Sequence, residues 1–310
     1  MATGKILVLS DGKAGHENQS RALVRGLGGE AHICRVAFKS PFHKALSYLL
    51  DRVGILTGSL FSRFAEDLDM SEFSAVVGTG SGTFYAVKTV AGKNGLKSVA
   101  MLYPRGYRLG GFDLVLSPAF DRPRKLPNVV EIPANLVAVD EEFYARGTEE
   151  FLKRHQPCKP AVAVVVGGPN KCSSMTGDWM RRQLEKIFAE NPGCEFWVTS
   201  SRRTPPEVEK EIDSFPFDYK LIFSRDKFNP IPAFVVKAEK IYVSAESTGM
   251  LSEACTYGTA HVEVMDNLNG GDHKFRRFVD ALRRDGYVGG RRKVALSPFF
   301  DSVKARLGLG

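Results

Sequence analysis

Short apolar runs alternate with helix-like stretches along almost the whole chain, and few folds accommodate that alternation. In the first half the runs fall at residues 5–10, 32–38, 75–78, 97–102, 114–116 and 129–132. A second series follows at 161–166, 195–199, 219–223, 240–244 and 261–264. Helical spacing fills intervals at 142–155, 177–190, 206–214, 230–238 and 249–257. Strand–helix repetition with near-continuous apolar strands predicts parallel sheets covered by helices on both faces. A chain of 310 residues exceeds what one core usually serves. Residues 156–160 (Gln-Pro-Cys-Lys-Pro) punctuate it between the two series. The expectation is therefore an α/β protein of two Rossmann-like domains, 1–157 and 158–310, with the C-terminal tail packing back on the first.

In such sheets ligands bind outside the carboxyl ends of the strands, so the strand exits are where chemistry is sought. The first exit reads Ser10-Asp-Gly-Lys-Ala-Gly-His-Glu-Asn-Gln-Ser20. Gly12 and Gly15 permit a tight turn and close backbone approach. His16 at the mouth of the following helix suits a general base acting on an acceptor hydroxyl, or else it only lines the loop. The spacing is not G-x-G-x-x-G, which speaks against a nicotinamide dehydrogenase. A second exit, residues 78–83, is glycine-rich and either cradles an anion or leaves room for a facing domain. Arg105, after Tyr103-Pro104, meets an anionic acceptor or an acidic neighbour.

In the second series Gly167-Gly168-Pro169-Asn170 follows the first strand, with glycines for close approach and Asn170 as donor and acceptor. Residues Ser200, Ser201, Arg202 and Arg203 follow the next strand, and hydroxyls with guanidiniums suit a diphosphate. Phe228 and Asn229 either meet a base or start a helix. The last exit, Glu246-Ser-Thr-Gly-Met-Leu-Ser-Glu253, leads from a strand into a helix through small polar residues. Such a turn leaves unpaired backbone N–H groups pointing out of the sheet edge, a ready site for a phosphate or pyrophosphate. Glu253, about one turn further in, is placed to accept hydrogen bonds from sugar hydroxyls. The set points to a nucleotide-sugar pocket, with donor contacts expected from Gly12, Gly15, Gly167, Gly168, Asn170, Ser200, Ser201, Arg202, Glu246–Met250 and Glu253.

These motifs, 11–19, 167–170, 198–205 and 246–254, resemble the family of the plant "elongated mitochondria" fission factor, and the likeness covers nearly the whole chain. Bacterial members of that family are labelled glycosyltransferases or nucleotide-sugar epimerases. The family is in turn similar to GT-B glycosyltransferases such as the lipid II-forming N-acetylglucosaminyltransferase. The resemblance implies two Rossmann-like domains facing across a cleft, the first handling the acceptor and the second the nucleotide sugar. It implies that His16 faces the reaction centre, that residues 247–250 meet the diphosphate and that Glu253 holds the ribose. On that reading Glu253 and His16 lie opposite one another across the cleft. It also implies catalysis without a bound metal or cofactor, and no Asp-x-Asp motif argues otherwise. Two departures stand out. Pro118-Ala-Phe-Asp121 replaces an expected Pro-Glu-His-Asp, and Glu246-Ser247 replaces Asp-Ser. An epimerase or hydrolase on the same scaffold, and a non-enzymatic scaffold protein, remain the alternatives.

The formal charge of +8 favours anionic ligands, with the excess clustered at Arg202-Arg203, Arg276-Arg277, Arg283-Arg284 and Arg291-Arg292-Lys293. No zinc, helix-turn-helix or aromatic RNA-binding signature accompanies it, so nucleic acid is not the expected partner. Five scattered cysteines suit a reducing cytoplasm rather than a disulfide framework. The apolar run at 6–10 is too short for a leader or a span. Residues 38–64 mix Phe42, Leu46, Tyr48, Leu49, Leu50, Ile55, Leu56, Leu60 and Phe61 with His43, Lys44, Arg52 and Arg63. That stretch either packs as an ordinary amphipathic helix or docks on anionic lipid, which would put the protein at the inner face of the membrane.

Overall fold

The computed structural model describes residues 4–64, 68–137 and 140–309. The chain forms two compact units, Met1–Ala138 with Ala295–Gly310, and Val139–Val294.

The first unit runs β1 (Lys5–Ser10), α1 (Ala14–Gly26), β2 (Glu30–Arg35), β3 (Ala37–Phe38), α2 (Pro41–Val53), β4 (Phe61–Arg63), β5 (Phe73–Thr79), α3 (Phe84–Asn94), β6 (Lys97–Met101), β7 (Leu114–Pro118) and β8 (Val129–Ile132). Its main sheet has the order β2-β1-β5-β6-β7-β8, and every pairing in it is parallel. Ile6, Leu7, Val8, Val76 and Val77 are wholly buried, as strands sandwiched between helices require. The run expected over 32–38 is two strands. Val36 donates its N–H to Ser10 and ends the ladder with β1, after which β3 pairs antiparallel with β4.

The second unit continues with α4 (Glu141–Arg154), β9 (Ala161–Val165), α5 (Gly177–Glu190), β10 (Glu195–Thr199), α6 (Pro206–Ser214), β11 (Tyr219–Leu221), α7 (Ile231–Lys237), β12 (Lys240–Ser244), α8 (Thr248–Thr256), β13 (His261–Met265) and α9 (Lys274–Arg284). The sheet order is β11-β10-β9-β12-β13, again parallel throughout. The division expected after residue 157 falls before α4 instead. Phe151 of α4 packs on Trp197, Tyr219 and Phe234 at centroid distances of 5.0, 4.7 and 5.8 Å, a cluster that removes the helix's apolar stripe from water. At Gly147 a Cβ would lie 2.7 Å from Pro232, so α4 and α7 touch backbone to side chain. The chain ends in α10 (Ser297–Leu307), which belongs to the first unit. Its Phe300 ring lies so near Gly26 of α1 that a Cβ there would stand 2.2 Å away.

The basic clusters of the second unit are largely answered locally. Arg276 pairs with Asp266, Arg277 with Asp272 at 2.7 Å, and Arg284 with Asp285 at 3.0 Å. In each unit the strand order reverses beside the first strand, between β1 and β5 and between β9 and β12. Loops leaving the carboxyl ends of those pairs form the crevice in which α/β sheets bind ligands.

Candidate functional site

In the first unit the loops after β1 and β5 meet over His16. The chain leaves β1 through Gly12, whose φ of +81° suits glycine and whose N–H reaches Ser10 Oγ at 3.1 Å. That turn directs the Asp11 carboxylate at the imidazole, with both oxygens 3.1 Å from His16 Nδ1. The opposite side of the ring is bounded by Gly80, where φ is +82° and a Cβ would stand 2.4 Å from His16 Cε1. Gly82 likewise leaves room for Asp11, since a Cβ there would meet the Asp11 Cβ at 2.8 Å. Gly80 and Gly82 thus make room for the Asp11–His16 pair. Burial works against charge on Asp11, but the hydrogen bonds from Lys13 and the Lys13 charge oppose it, and the carboxyl lies below its ordinary range. An ionised carboxylate on Nδ1 fixes the imidazole so that Nε2 faces away from it. The His16 side chain is 24% exposed, enough for a substrate atom to reach it. Nothing lies within 4 Å of where a Gly15 Cβ would be, so the helix mouth beside His16 is open.

Sequence reasoning missed Asp11 as a partner of His16. The available signal was an acidic residue five positions earlier across a glycine turn. Of the two readings for Arg105, the acidic neighbour holds, because its guanidinium donates to the Asp121 carbonyl at 2.9 Å and lies 3.8 Å from that carboxylate. Phe120, where the related motif carries His, is buried.

The equivalent crevice of the second unit is built from committed groups. Gly167 N–H donates to Ser244 Oγ at 2.8 Å and Gly168 N–H to Glu246 Oε1 at 2.8 Å. The other Glu246 oxygen accepts from Asn267 Nδ2 at 2.7 Å. A Cβ on Gly167 would fall 2.0 Å from Glu246 Oε1, and one on Gly168 would fall 2.3 Å from the Arg203 carbonyl oxygen. Glycine is therefore required at both positions by packing within the protein. Ser201 Oγ donates to the Gly167 carbonyl at 2.7 Å, and Arg203 Nη1 to the Gly168 carbonyl at 3.0 Å. Ser200 is buried between Glu209 and the Phe223 N–H. Asn170 Oδ1 caps the Cys172 N–H at 2.7 Å.

Within the expected donor set, the N–H groups of Gly167 and Gly168, the Ser200 hydroxyl and the Glu246 carboxylate are engaged in hydrogen bonds inside the protein. Gly12 and Gly15 stand with His16 in the first unit.

What remains open is the start of α8. Gly249 is exposed, and a Cβ on it would meet nothing within 4 Å. Ser247, Thr248 and Met250 are half-buried around it. Against the expectation of unpaired N–H groups throughout this turn, Ser247 donates to the Ser244 carbonyl at 3.0 Å and Thr248 to the Glu246 carbonyl at 3.1 Å. The first-turn groups left to face outward are those of Gly249 and Met250. Arg202 is exposed on the loop after β10. One turn in, Glu253 Oε1 accepts from the Tyr144 hydroxyl at 2.8 Å. Tyr144 is itself buried and stacked on Tyr257 at 3.7 Å. Burial pushes the Glu253 carboxyl above its ordinary value, the Tyr144 hydrogen bond opposing this. Among the described residues no group of three or more His, Cys, Asp and Glu is arranged to hold a metal ion, and no helix is long and apolar enough to cross a membrane.

The family model described as "Mitochondrial fission ELM1" matches residues 14–294. No curated protein matches the chain. Among solved structures it is similar to the UDP-GlcNAc 2-epimerase of Methanocaldococcus jannaschii, with TM-score 0.56, 12% identity and 99% of both chains covered. It is also similar to S. aureus MnaA solved with UDP, with TM-score 0.52, 13% identity and 99% and 98% covered. The Neisseria meningitidis UDP-GlcNAc 2-epimerase bound to UDP-GlcNAc gives TM-score 0.52 and 11% identity over 99% of this chain and all of the other. These likenesses establish the GT-B fold, two Rossmann-like units in one chain.

Proposed function

The chain belongs to the mitochondrial fission ELM1 family, and from that premise we propose that it binds a nucleoside-diphosphate sugar in its second unit and acts as a glycosyltransferase. The observation that carries this reading is the open first turn of α8 with a held carboxylate one turn behind it. The diphosphate sits on the Gly249 and Met250 N–H groups with the hydroxyls of Ser247 and Thr248, where the helix dipole favours negative charge. Arg202, on the loop after β10, supplies a guanidinium for the same charge. Glu253 Oε2 accepts the ribose hydroxyls while Tyr144 holds Oε1.

His16 serves as the base. Asp11 on Nδ1 keeps Nε2 as the acceptor of a proton from the attacking hydroxyl and steadies the imidazolium that forms. As the acceptor oxygen bonds to the anomeric carbon, the bond to the diphosphate breaks and its electron pair leaves with the phosphate. The α8 first turn stabilises that developing charge, which is the task of preorganised N–H donors.

Isothermal titration of the whole protein with UDP, GDP, CDP and their sugars tests the binding half. Binding of one nucleotide that is lost in Glu253→Ala supports it, and a folded protein that binds none overturns it. An epimerase would need no acceptor. Following the bound donor alone by NMR separates the two readings, since conversion without acceptor favours epimerisation and a stable donor favours transfer. The reading places the protein in the cytoplasm, where such donors are made.

A further inference from the structure

The helix α2 leaves an apolar stripe outside. Its fully buried side chains are polar, Ser47 and Asp51, and Leu46, Tyr48 and Leu50 pack partly buried against the core. Its exposed ones are apolar: Phe42 at 71%, Leu49 at 58% and Val53 at 64%. Positions 42, 45, 49 and 53 share one face by the i, i+3, i+7, i+11 spacing, and 47 and 51 lie on the opposite face. Ile55 and Leu56 extend the exposed patch past the helix end, at 52% and 37%.

Leu46, Tyr48 and Leu50 on the core, together with the inward polar groups, hold the helix without burying that face. Asp51 Oδ1 accepts from Lys88 at 2.6 Å and Oδ2 from the Arg108 N–H at 2.6 Å. Ser47 bonds the Tyr107 hydroxyl at 2.8 Å. Tyr48 stacks on Tyr107 at 4.3 Å. A Ser40 cap, Pro41 in the first turn and a left-handed Gly54 delimit the helix. An apolar patch left outside by a rigidly held helix marks an interaction surface.

The charge around it selects the partner. Residues 38–64 carry Lys39, Lys44, Arg52 and Arg63 against a single acid, Asp51, which Lys88 already neutralises. Lys39, Arg52 and Arg63 are exposed, as is Arg108, whose guanidinium would lie 3.5 Å from a Cβ on Gly54. Beside it a cavity of about 310 Å³ is lined by Tyr103, Arg105, Arg108 and Arg124. Exposed apolar side chains rimmed by cations, with no acid free among residues 38–64, complement a bilayer carrying anionic headgroups.

We infer that α2 and the segment to Leu56 dock this protein on an anionic lipid surface, the apolar stripe entering the interface and the basic rim meeting lipid phosphates. Lys44 Nζ donates to Ser81 Oγ at 2.9 Å, on the loop that borders His16. Docking there brings the His16 end of the first unit toward the membrane.

The test is co-sedimentation of the whole protein with vesicles of phosphatidylcholine alone and of phosphatidylcholine with phosphatidylglycerol. Binding is expected to the anionic vesicles only, weakened by salt, and lowered at least about tenfold by Leu49→Glu and by Lys39→Glu with Arg52→Glu. Unfolding midpoints and nucleotide titrations of these variants should match the parent, which separates this inference from the proposed activity. Lack of binding by the parent protein overturns it, as does undiminished binding by Leu49→Glu. Concentration-dependent self-association that Leu49→Glu abolishes would overturn it too, by assigning the patch to a second copy.

Discussion

The two crevices occupy the same place in the two sheets, each where the strand order reverses, yet they are furnished oppositely. After β1 and β5, side chains with chemistry face outward: Asp11 and His16 stand together with His16 accessible, and glycines only make room for them. After β9 and β12, the polar side chains turn inward. Glu246, Ser244, Ser201 and Arg203 clamp the glycine loop, and what faces outward is backbone at the head of α8. One topology thus supports two tasks. A proton-transfer group needs a movable proton and access, while an anion site needs rigid N–H donors that do not reorganise.

Substitutions can break that contrast, the largest effect first. His16→Ala should cut turnover about 10²–10⁴-fold, the usual worth of a general base, with the urea midpoint nearly unchanged. A large stability loss instead would mean that the first crevice is as structural as the second. Glu246→Ala should do the reverse. It strands the Gly168 N–H and the Asn267 amide, and unfolding in urea should show a loss of about 2–4 kcal/mol. Gly80→Ala combines a left-handed backbone with a clash on the His16 ring. It should cost about 1–3 kcal/mol and alter the pH–rate profile, because the ring must move.

The smallest effect is expected at Glu253. Its folded pKa is raised by burial, so its charged form is penalised in the native state. That penalty is absent below the ordinary value of 4.5 and complete above the raised one. Glu253→Gln should therefore melt a few degrees higher at mildly alkaline pH, with the gain fading as acid protonates the parent carboxyl. A gain independent of pH would show that packing rather than charge is responsible. Nucleotide affinity should fall in the same variant.

Strand positions were legible because period and composition agree. Residues 195–199 and 240–244 are apolar, bounded by turn formers, and fold as β10 and β12 with those limits. The split of 32–38 was not legible, because it depends on Val36 reaching Ser10 of another strand. Nor could the run of residues alone assign α4, whose stripe suits either unit until Phe151 meets Trp197 and Phe234. Among candidate site residues, His16 and the start of α8 could be found from the sequence since they stand at strand exits. The inward turn of Glu246 and Ser200 could not, because a polar residue at an exit reads the same whether it faces a ligand or a neighbouring loop.

By itself the sequence determined the α/β alternation, the presence of two sheets and the exits that carry glycine, hydroxyl and titratable groups. These follow from periodicity and local backbone preference, which need no distant partner. Tertiary structure alone decided which of those groups are engaged internally. It set Asp11 on His16, closed Glu246 over the glycine loop, left Gly249 open and turned the apolar face of α2 outward. Each of these depends on contacts between segments far apart in the chain, and local pattern does not encode which polar group finds a partner there.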